Sequence, residues 1–368
     1  MNAVSINRLT KLTTVLISTY RKTFATPRAG KEDKLRILNI GSLNLDRTYA
    51  VRDFVAPGET ISALDYQTHC GGKGLNQSLA LARAGAAVSH LGTIGFDGGI
   101  LRDSLVQAGV DIRFLRQSDT ANGHAVIQVD AHGQNCIIVC AGSNAEVTVE
   151  QIEAGLASLQ PGDWVLLQNE TSNLAYAVER ASALGLKLIL NPSPINPALL
   201  NADLRPVNLF ILNETEARLL ADQQTDEPMK LMAALRTIYP QSEILLTCGA
   251  QGAFYQDVAP NDLTYFRPAY QVAAVDTTAA GDTFTGYFLA AMSRQAGVQA
   301  ALRLAAAAAA LAVSRPGAQS SIPELAEVER FIAEREIEGA EAECVTAAQD
   351  KRQASAQSDS GHMKEITN

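Results

Sequence analysis

From Leu35 onward, short apolar runs of strand length alternate with stretches whose apolar residues recur every three or four positions. "LRILNIG" reads as a first buried strand, and "GLNQSLALARAGA" as a helix. A strand follows at "AVSHLGTIG" and a helix over "GGILRDSLVQAGV". "DWVLLQ", "LKLILNPSP", "VNLFILNETE" and "EILLTCGAQG" are further apolar runs that end in polar or small residues, with helical segments between most of them. This alternation predicts an α/β domain with a mostly parallel sheet. Two stretches break it, at about 47–70 and 113–140, where β-branched and apolar residues lack long helical periods. "HAVIQVDAHGQNCIIV" predicts a hairpin turning at His132-Gly133. Both stretches are assigned to a small β flap outside the main sheet.

The two ends differ from the middle. Residues 1–31 hold no Asp or Glu but carry Arg8, Lys11, Arg21, Lys22, Arg28 and Lys31, with Ile6, Leu9, Leu12, Leu16 and Tyr20 at helical spacing. Such a segment fits either an organelle-targeting helix or a plain basic extension. After Pro323, "ELAEVERFIAEREIEGAEAE" reads as a charged helix, and a polar tail expected to be disordered follows from about Ala347.

Composition narrows the class without naming it. The 368 residues, 47% hydrophobic and 19% charged, suit an ordinary globular chain. A net charge of −9 argues against a nucleic-acid surface, though not against a local anion pocket. No run of 18 apolar residues occurs, so no membrane partner is expected. The five cysteines (Cys70, Cys136, Cys140, Cys248 and Cys344) are scattered, without Cys-x-x-Cys spacing. They point to plain thiols in a reducing, cytoplasmic setting rather than to zinc.

The candidate chemistry gathers at a few loops. In "DTTAAGDTFTGYF", Ala279, Ala280 and Gly281 precede Asp282 where an apolar helix begins. Small residues there leave backbone N–H groups open at the positive end of a helix dipole, which makes an anion site. Asp282 is then either a simple helix cap or a carboxylate with work beside that anion. "CGGKGLNQS" sets Lys73 among glycines but lacks Walker A spacing. Gly71 and Gly72 allow a ligand close to the backbone, with Lys73 and Asn76 as donors, unless the segment is only a turn with a solvated lysine. Asn44 and Asp46, after the first strand, share one face if the chain stays extended, and a carboxylate can grip a sugar diol. Glu170, Asn213 and Glu216 lie at strand ends, as do Thr247, Gly249 and Gly252, and ligands of open α/β sheets sit beyond such ends.

Taken in order, "GGKGLNQ", "NETE", "TCGAQG", "DTTAAGDTF" and "RPGAQSSIP" resemble the ribokinase branch of the PfkB carbohydrate kinase family, over about Leu35 to Phe331. The resemblance implies a ribokinase-like three-layer α/β/α domain spanning 34–335, a flap acting as a lid, an extension over 1–33 and a tail over 336–368. It implies phosphorylation of D-ribose at the 5-hydroxyl by ATP. Another sugar (deoxyribose, fructose, a keto-deoxy sugar acid), a nucleoside, or a non-catalytic sugar sensor are the alternatives. Asp282 matches the family's catalytic base, and the amides of Ala279, Ala280 and Gly281 its anion hole. Asn44, Asp46, Gly72, Lys73, Asn76 and Glu170 match sugar-binding positions, with Ala125 and Ile127 on the lid. Asn213, Thr247, Gly249, Gly252 and Gly281 match nucleotide contacts. Glu216 matches the acidic residue that reaches Mg²⁺ through water. Asp276, Thr278, Ala312, Arg315, Gly317 and Ser321 match positions that hold an activating K⁺. The implied partners are a sugar and ATP; separately, exposed flap strands need an edge partner, which predicts a second copy of the chain joined through the flap.

Overall fold

The computed structural model describes residues 35–258 and 263–336. The basic extension, the polar tail and Cys344 lie outside them. Thirteen strands are numbered in chain order: β1 Ile37–Ile40, β2 Asn44–Ala50, β3 Asp65–Gly71, β4 Val88–Ile94, β5 Asp111–Gln117, β6 Gly123–Val129, β7 Asn135–Cys140, β8 Trp164–Gln168, β9 Lys187–Asn191, β10 Leu209–Asn213, β11 Glu243–Thr247, β12 Gly252–Gln256 and β13 Thr264–Pro268. Nine form the main sheet, in the order β13-β12-β11-β10-β9-β8-β1-β4-β5. From β11 to β5 every pairing is parallel. The β12–β13 edge is antiparallel, a hairpin absent from the expected strands because neither "GAFYQ" nor "TYFRP" is a long apolar run.

Strand parity sorts the two faces of this sheet. Leu38, Ile40, Val165, Leu167, Leu188, Leu190, Phe210, Leu212, Ile244 and Leu246 point to one side. There they form a single core with the helices Val149–Leu156, Leu174–Ala183, Glu214–Ala221 and Pro228–Ile238. The opposite parity holds Asn39, Gln168 and Asn191, which face the helix Lys73–Arg83. That helix packs against Ala280–Ser293, which in turn packs along Val298–Val313. Alanines make the last contact close: Ala301, Ala305, Ala307, Ala308 and Ala312 are all buried there. The result is the expected three-layer arrangement.

The second sheet, in the order β3-β2-β6-β7, is the flap. β6 and β7 pair antiparallel from His124↔Cys140 to Val129↔Asn135, and Gly133 takes a φ of +76° in the turn, where the hairpin was expected. The segment 113–117, expected in the flap, instead belongs to β5 and pairs with β4 at the edge of the main sheet. Its exposed Arg113, Arg116 and Gln117 mark an edge strand rather than a lid.

Residues 326–336 fall in a separate compact unit and are helical throughout, with the Arg335 guanidinium over the Phe331 ring at 5.3 Å. Among the described residues no helix is long and apolar enough to cross a membrane.

Candidate active site

Parallel strands deliver their carboxyl ends to one edge, and the expected residues collect there. Asp282 stands in the first turn of Ala280–Ser293, with 9% of its surface exposed. Its carboxylate serves no cap of its own helix: Asn76 Nδ2 donates to Oδ2 at 3.0 Å and Gln77 Nε2 to Oδ1 at 2.9 Å, both from Lys73–Arg83. Burial pushes its pKa above the usual carboxylate range, against the Lys73 charge and the two amide donors. The side chain is turned away from the first turn, where Ala280 N–H donates to Thr277 O at a long 3.3 Å. Ala280 and Gly281 line a cavity of about 410 Å³, and a methyl added at Gly281 would meet no protein atom within 4 Å. The residue before them, Ala279, sits in the left-handed region at φ +59°. A side chain rarely adopts that conformation, so the turn is strained.

The same cavity is lined by Asn213, Thr247, Gly249 and Gly252, which end β10 and β11 or follow them. Its far wall is apolar: Phe284, Ala306, Ala309, Ala310 and Val313. Asn213 and Glu216 form a reciprocal capping box, Glu216 N–H to Asn213 Oδ1 at 2.9 Å and Asn213 N–H to Glu216 Oε2 at 3.0 Å. The N-x-x-E spacing of "NETE" is the sequence signal for that box.

A second group of polar side chains reaches from Asp282 through Lys73 and Glu170 to Asp46 on the flap. Glu170, just past β8, accepts from the Ser42 hydroxyl and from Lys73 N–H at 3.1 Å. Burial raises the Glu170 pKa against the pull of Lys73. For Lys73 itself, burial pulls down, but the carboxylates of Asp282, Glu170 and Glu216 outweigh it and hold the ammonium above its ordinary range. Asn44 Oδ1 accepts from Asn144 Nδ2 at 2.7 Å. Asp46 shares its strand face with Asn44, and the β2–β6 register adds Ala125 and Ile127 beside it. Burial first, and then the Glu170 charge, raise Asp46 to about 6. Its carboxylate lies over Gly71, where a Cβ would come within 1.9 Å of Asp46 Oδ2 and push the carboxylate aside.

The group around Asp276 is tied to its own turn. Asp276 Oδ1 accepts from Thr278 N–H at 2.9 Å and Thr278 Oγ1 at 2.6 Å, and Oδ2 from Gly317 N–H at 2.9 Å. Burial would raise its pKa, but these donors together hold it below the usual range. Asp276 and Gly317 are thus joined directly. Ser321 is buried and donates to Ala318 O at 2.8 Å, and the Ala312 carbonyl accepts from Arg315 N–H at 3.1 Å.

Sequence reasoning missed a set of buried amides behind Asp282. Gln77 accepts at Oε1 from Gln168 Nε2 at 2.7 Å, and Gln168 also donates to Asn39 Oδ1 at 2.9 Å. Asn191 Oδ1 receives Gln77 Nε2 at 3.2 Å. The available signal was a lone amide inside each of three apolar strands: "ILNI", "WVLLQ" and "KLILN". Side chains of that kind need partners when buried.

A buried carboxylate, an open helix N-terminus and a deep cavity meeting at the carboxyl edge of an α/β sheet define a small-molecule phosphotransferase. The family model for pfkB family carbohydrate kinases matches residues 34–325, and the chain belongs to that family. It is 34% identical over 300 residues to a ribokinase of Haemophilus influenzae, covering 80% of this chain and 97% of that one. The solved ribokinase of Cryptococcus neoformans in complex with ADP is similar at a TM-score of 0.71 and 32% identity, over 80% of this chain and 99% of that one. The Arabidopsis thaliana ribokinase complexed with ribose and ATP is similar at 0.72 and 28%, over 81% and 98%.

Proposed function

We propose that this sugar kinase transfers the γ-phosphate of ATP to the 5-hydroxyl of D-ribose, giving D-ribose 5-phosphate and ADP. The observation that carries the reading is Asn76. Its Nδ2 is spent on Asp282, while its buried Oδ1 has no partner among the described residues. A buried acceptor without a donor costs about 1–3 kcal/mol, and a substrate hydroxyl placed there would recover it. A neighbouring hydroxyl of the same sugar, donating to Asp282 Oδ2, would give up its proton there as its oxygen attacks phosphorus. The amides of Ala279, Ala280 and Gly281 receive the charge on the transferring group. Asn44, Asp46, Gly72, Lys73 and Glu170 hold the remaining hydroxyls. The relatives named above, one holding ribose and ATP and another ADP, support the same pair of ligands.

The nucleotide lies in the cavity of Asn213, Thr247, Gly249, Gly252 and Gly281. Glu216 is a lone, half-buried carboxylate with one oxygen engaged in its capping box. That suits a magnesium ion reached through water, which would neutralise phosphate charge. Asp276, Ser321 and the carbonyls of Thr278, Ala312, Arg315 and Gly317 offer only oxygen, the donor set of a hard cation such as K⁺. Ile137, Ile138 and Val139 on the flap edge are 51%, 63% and 65% exposed, which supports a homodimer joined there, and the free thiols of Cys70, Cys136, Cys140 and Cys248 suit a cytoplasmic setting.

The test is ADP release across ribose, deoxyribose, fructose, a keto-deoxy sugar acid and nucleosides. D-Ribose should give the highest kcat/KM. Another substrate ahead of it by about tenfold would displace ribose while leaving the kinase in place.

A further inference from the structure

Gln77 is buried completely, and each polar hydrogen and its carbonyl oxygen has a partner. Its amide can take only one orientation. Turned over, Oε1 would face the Asp282 carboxylate and Asn191 Oδ1, two acceptors, and Nε2 would face the donor of Gln168. Gln168 is oriented by its Nε2 alone, which serves Gln77 Oε1 and Asn39 Oδ1, while its buried Oε1 has no partner among the described residues. Asn39 Nδ2 in turn donates to Gly74 O and Ser78 Oγ, both at 2.8 Å. Ser78 Oγ lies 2.8 Å from Nδ1 of His90, which burial holds neutral with a pKa of about 4. Gln168 is therefore the branch point of this network: it donates to Gln77, whose own Nε2 reaches Asp282, and it donates to Asn39, whose Nδ2 runs on to Gly74 and Ser78.

We propose that the amide relay Asn39–Gln168–Gln77 is the positioning device of the Asp282 carboxylate, with Gln77 aiming Oδ1 and leaving Oδ2 beside Asn76 for the substrate hydroxyl. The inference rests on the reading of Asp282 as the base. A carboxylate alone on a helix start can rotate, and the relay removes that freedom before substrate arrives. The relay also favours the ionised form, since a donor to a carboxylate stabilises its charge. Two charged groups face Asp282 as well: Lys73, from the first turn of the helix that carries Gln77, and Glu170, from the end of β8. They oppose each other, so the relay acts on top of them.

The experiment compares Gln77→Met, Gln168→Met and Asp282→Asn with the parent chain at saturating sugar and ATP from pH 5 to 9, alongside melting curves. Gln77→Met should lower kcat by roughly 10²-fold, and KM for ATP should stay within about threefold. The acid limb of its kcat profile should move to higher pH, because loss of the donor makes the carboxylate easier to protonate. Gln168→Met never touches Asp282, yet it should shift the limb in the same direction by less. A purely structural role would lower the melting temperature and leave the limb in place. Folded Gln168→Met with the parent's profile overturns the relay, whether or not Gln77→Met folds. Asp282→Asn separates the two layers: parent activity there removes the base itself, whereas an inactive Asp282→Asn beside an unshifted Gln168→Met removes only the relay.

Discussion

Asn76 Nδ2 reaches Asp282 Oδ2 across 3.0 Å, joining two helix starts that lie 206 residues apart in the chain. The contact decides between the two roles open to an aspartate at a helix N-terminus. A cap turns its oxygens back onto its own first-turn amides. Here both oxygens accept from another helix, and Ala280 and Gly281 of the first turn line the cavity instead.

Asp282→Asn is therefore expected to do far more than remove a cap. Asparagine keeps one acceptor but sets an NH2 group against one of the two amide donors, so stability should fall by about 1–3 kcal/mol. It cannot accept the hydroxyl proton, and kcat should fall by about 10²–10⁴. Sugar affinity, measured by calorimetry, should stay within a few-fold. A variant turning over at the parent rate would leave Asp282 as a tie between two helices and not a base.

The alternation of apolar runs made the main sheet and its flanking helices legible, because buried parallel strands read as unbroken apolar segments. The hairpin at His132-Gly133 was legible for its turn chemistry. Edge elements are less legible: β5 and the β12–β13 hairpin carry polar residues that blur their period. Within the site, Asp282, Lys73 and Glu170 stood out as charges among small residues. Gln77, Gln168 and Asn39 did not. An amide inside an apolar run gains meaning only when the fold pairs it with other amides, and those pairings join residues as far apart as 39 and 168.

Sugar binding should weaken as pH falls through about 6. Burial and the neighbouring Glu170 raise Asp46 to about 6, so protonation there begins well above the ordinary carboxylate range. The ionised form accepts from two hydroxyls, whereas the protonated form must donate one proton itself. The proton therefore competes with sugar, and KM for sugar rises on the acid side, by up to about tenfold per pH unit. Hydroxyls that hydrogen-bond the carboxylate lower its pKa in the complex, so kcat should be less affected than KM by this group. Asp46→Asn should bind sugar more weakly and with a flatter pH dependence; an unchanged slope would assign the titration elsewhere.

Ala279→Gly should be tolerated and should raise stability. At φ +59° an alanine carries roughly 1–2 kcal/mol of strain that glycine avoids. Glycine loses more chain entropy on folding, about 0.4–1 kcal/mol, which offsets part of the gain. The net is a stabilisation of up to about 1 kcal/mol, read by denaturant melts. Ala279→Val should go the other way, because a β-branched side chain is a worse fit to the left-handed region. Loss of stability in Ala279→Gly would show that the methyl packs against something that outweighs the strain.

Potassium should raise kcat several-fold over sodium at equal ionic strength, and Asp276→Ala should abolish the difference. Asp276 is linked to the turn before the anion site through Thr278 and to the 315–321 loop through Gly317 N–H. Three of the four acceptor directions of its carboxylate are taken by these donors, and one remains for a cation. An ion there would sit behind the turn of Ala279 to Gly281 and hold its amides in place for the transferring phosphate, which is preorganisation rather than contact with substrate. The effect should therefore appear in kcat more than in KM for sugar. Asp276→Asn tests the charge separately: it keeps one acceptor for the turn but loses the negative charge that favours a cation, and it should retain the fold while responding weakly to K⁺. Equal rates in both salts with intact protein and saturating ATP would leave Asp276 as a tie between two loops and nothing more.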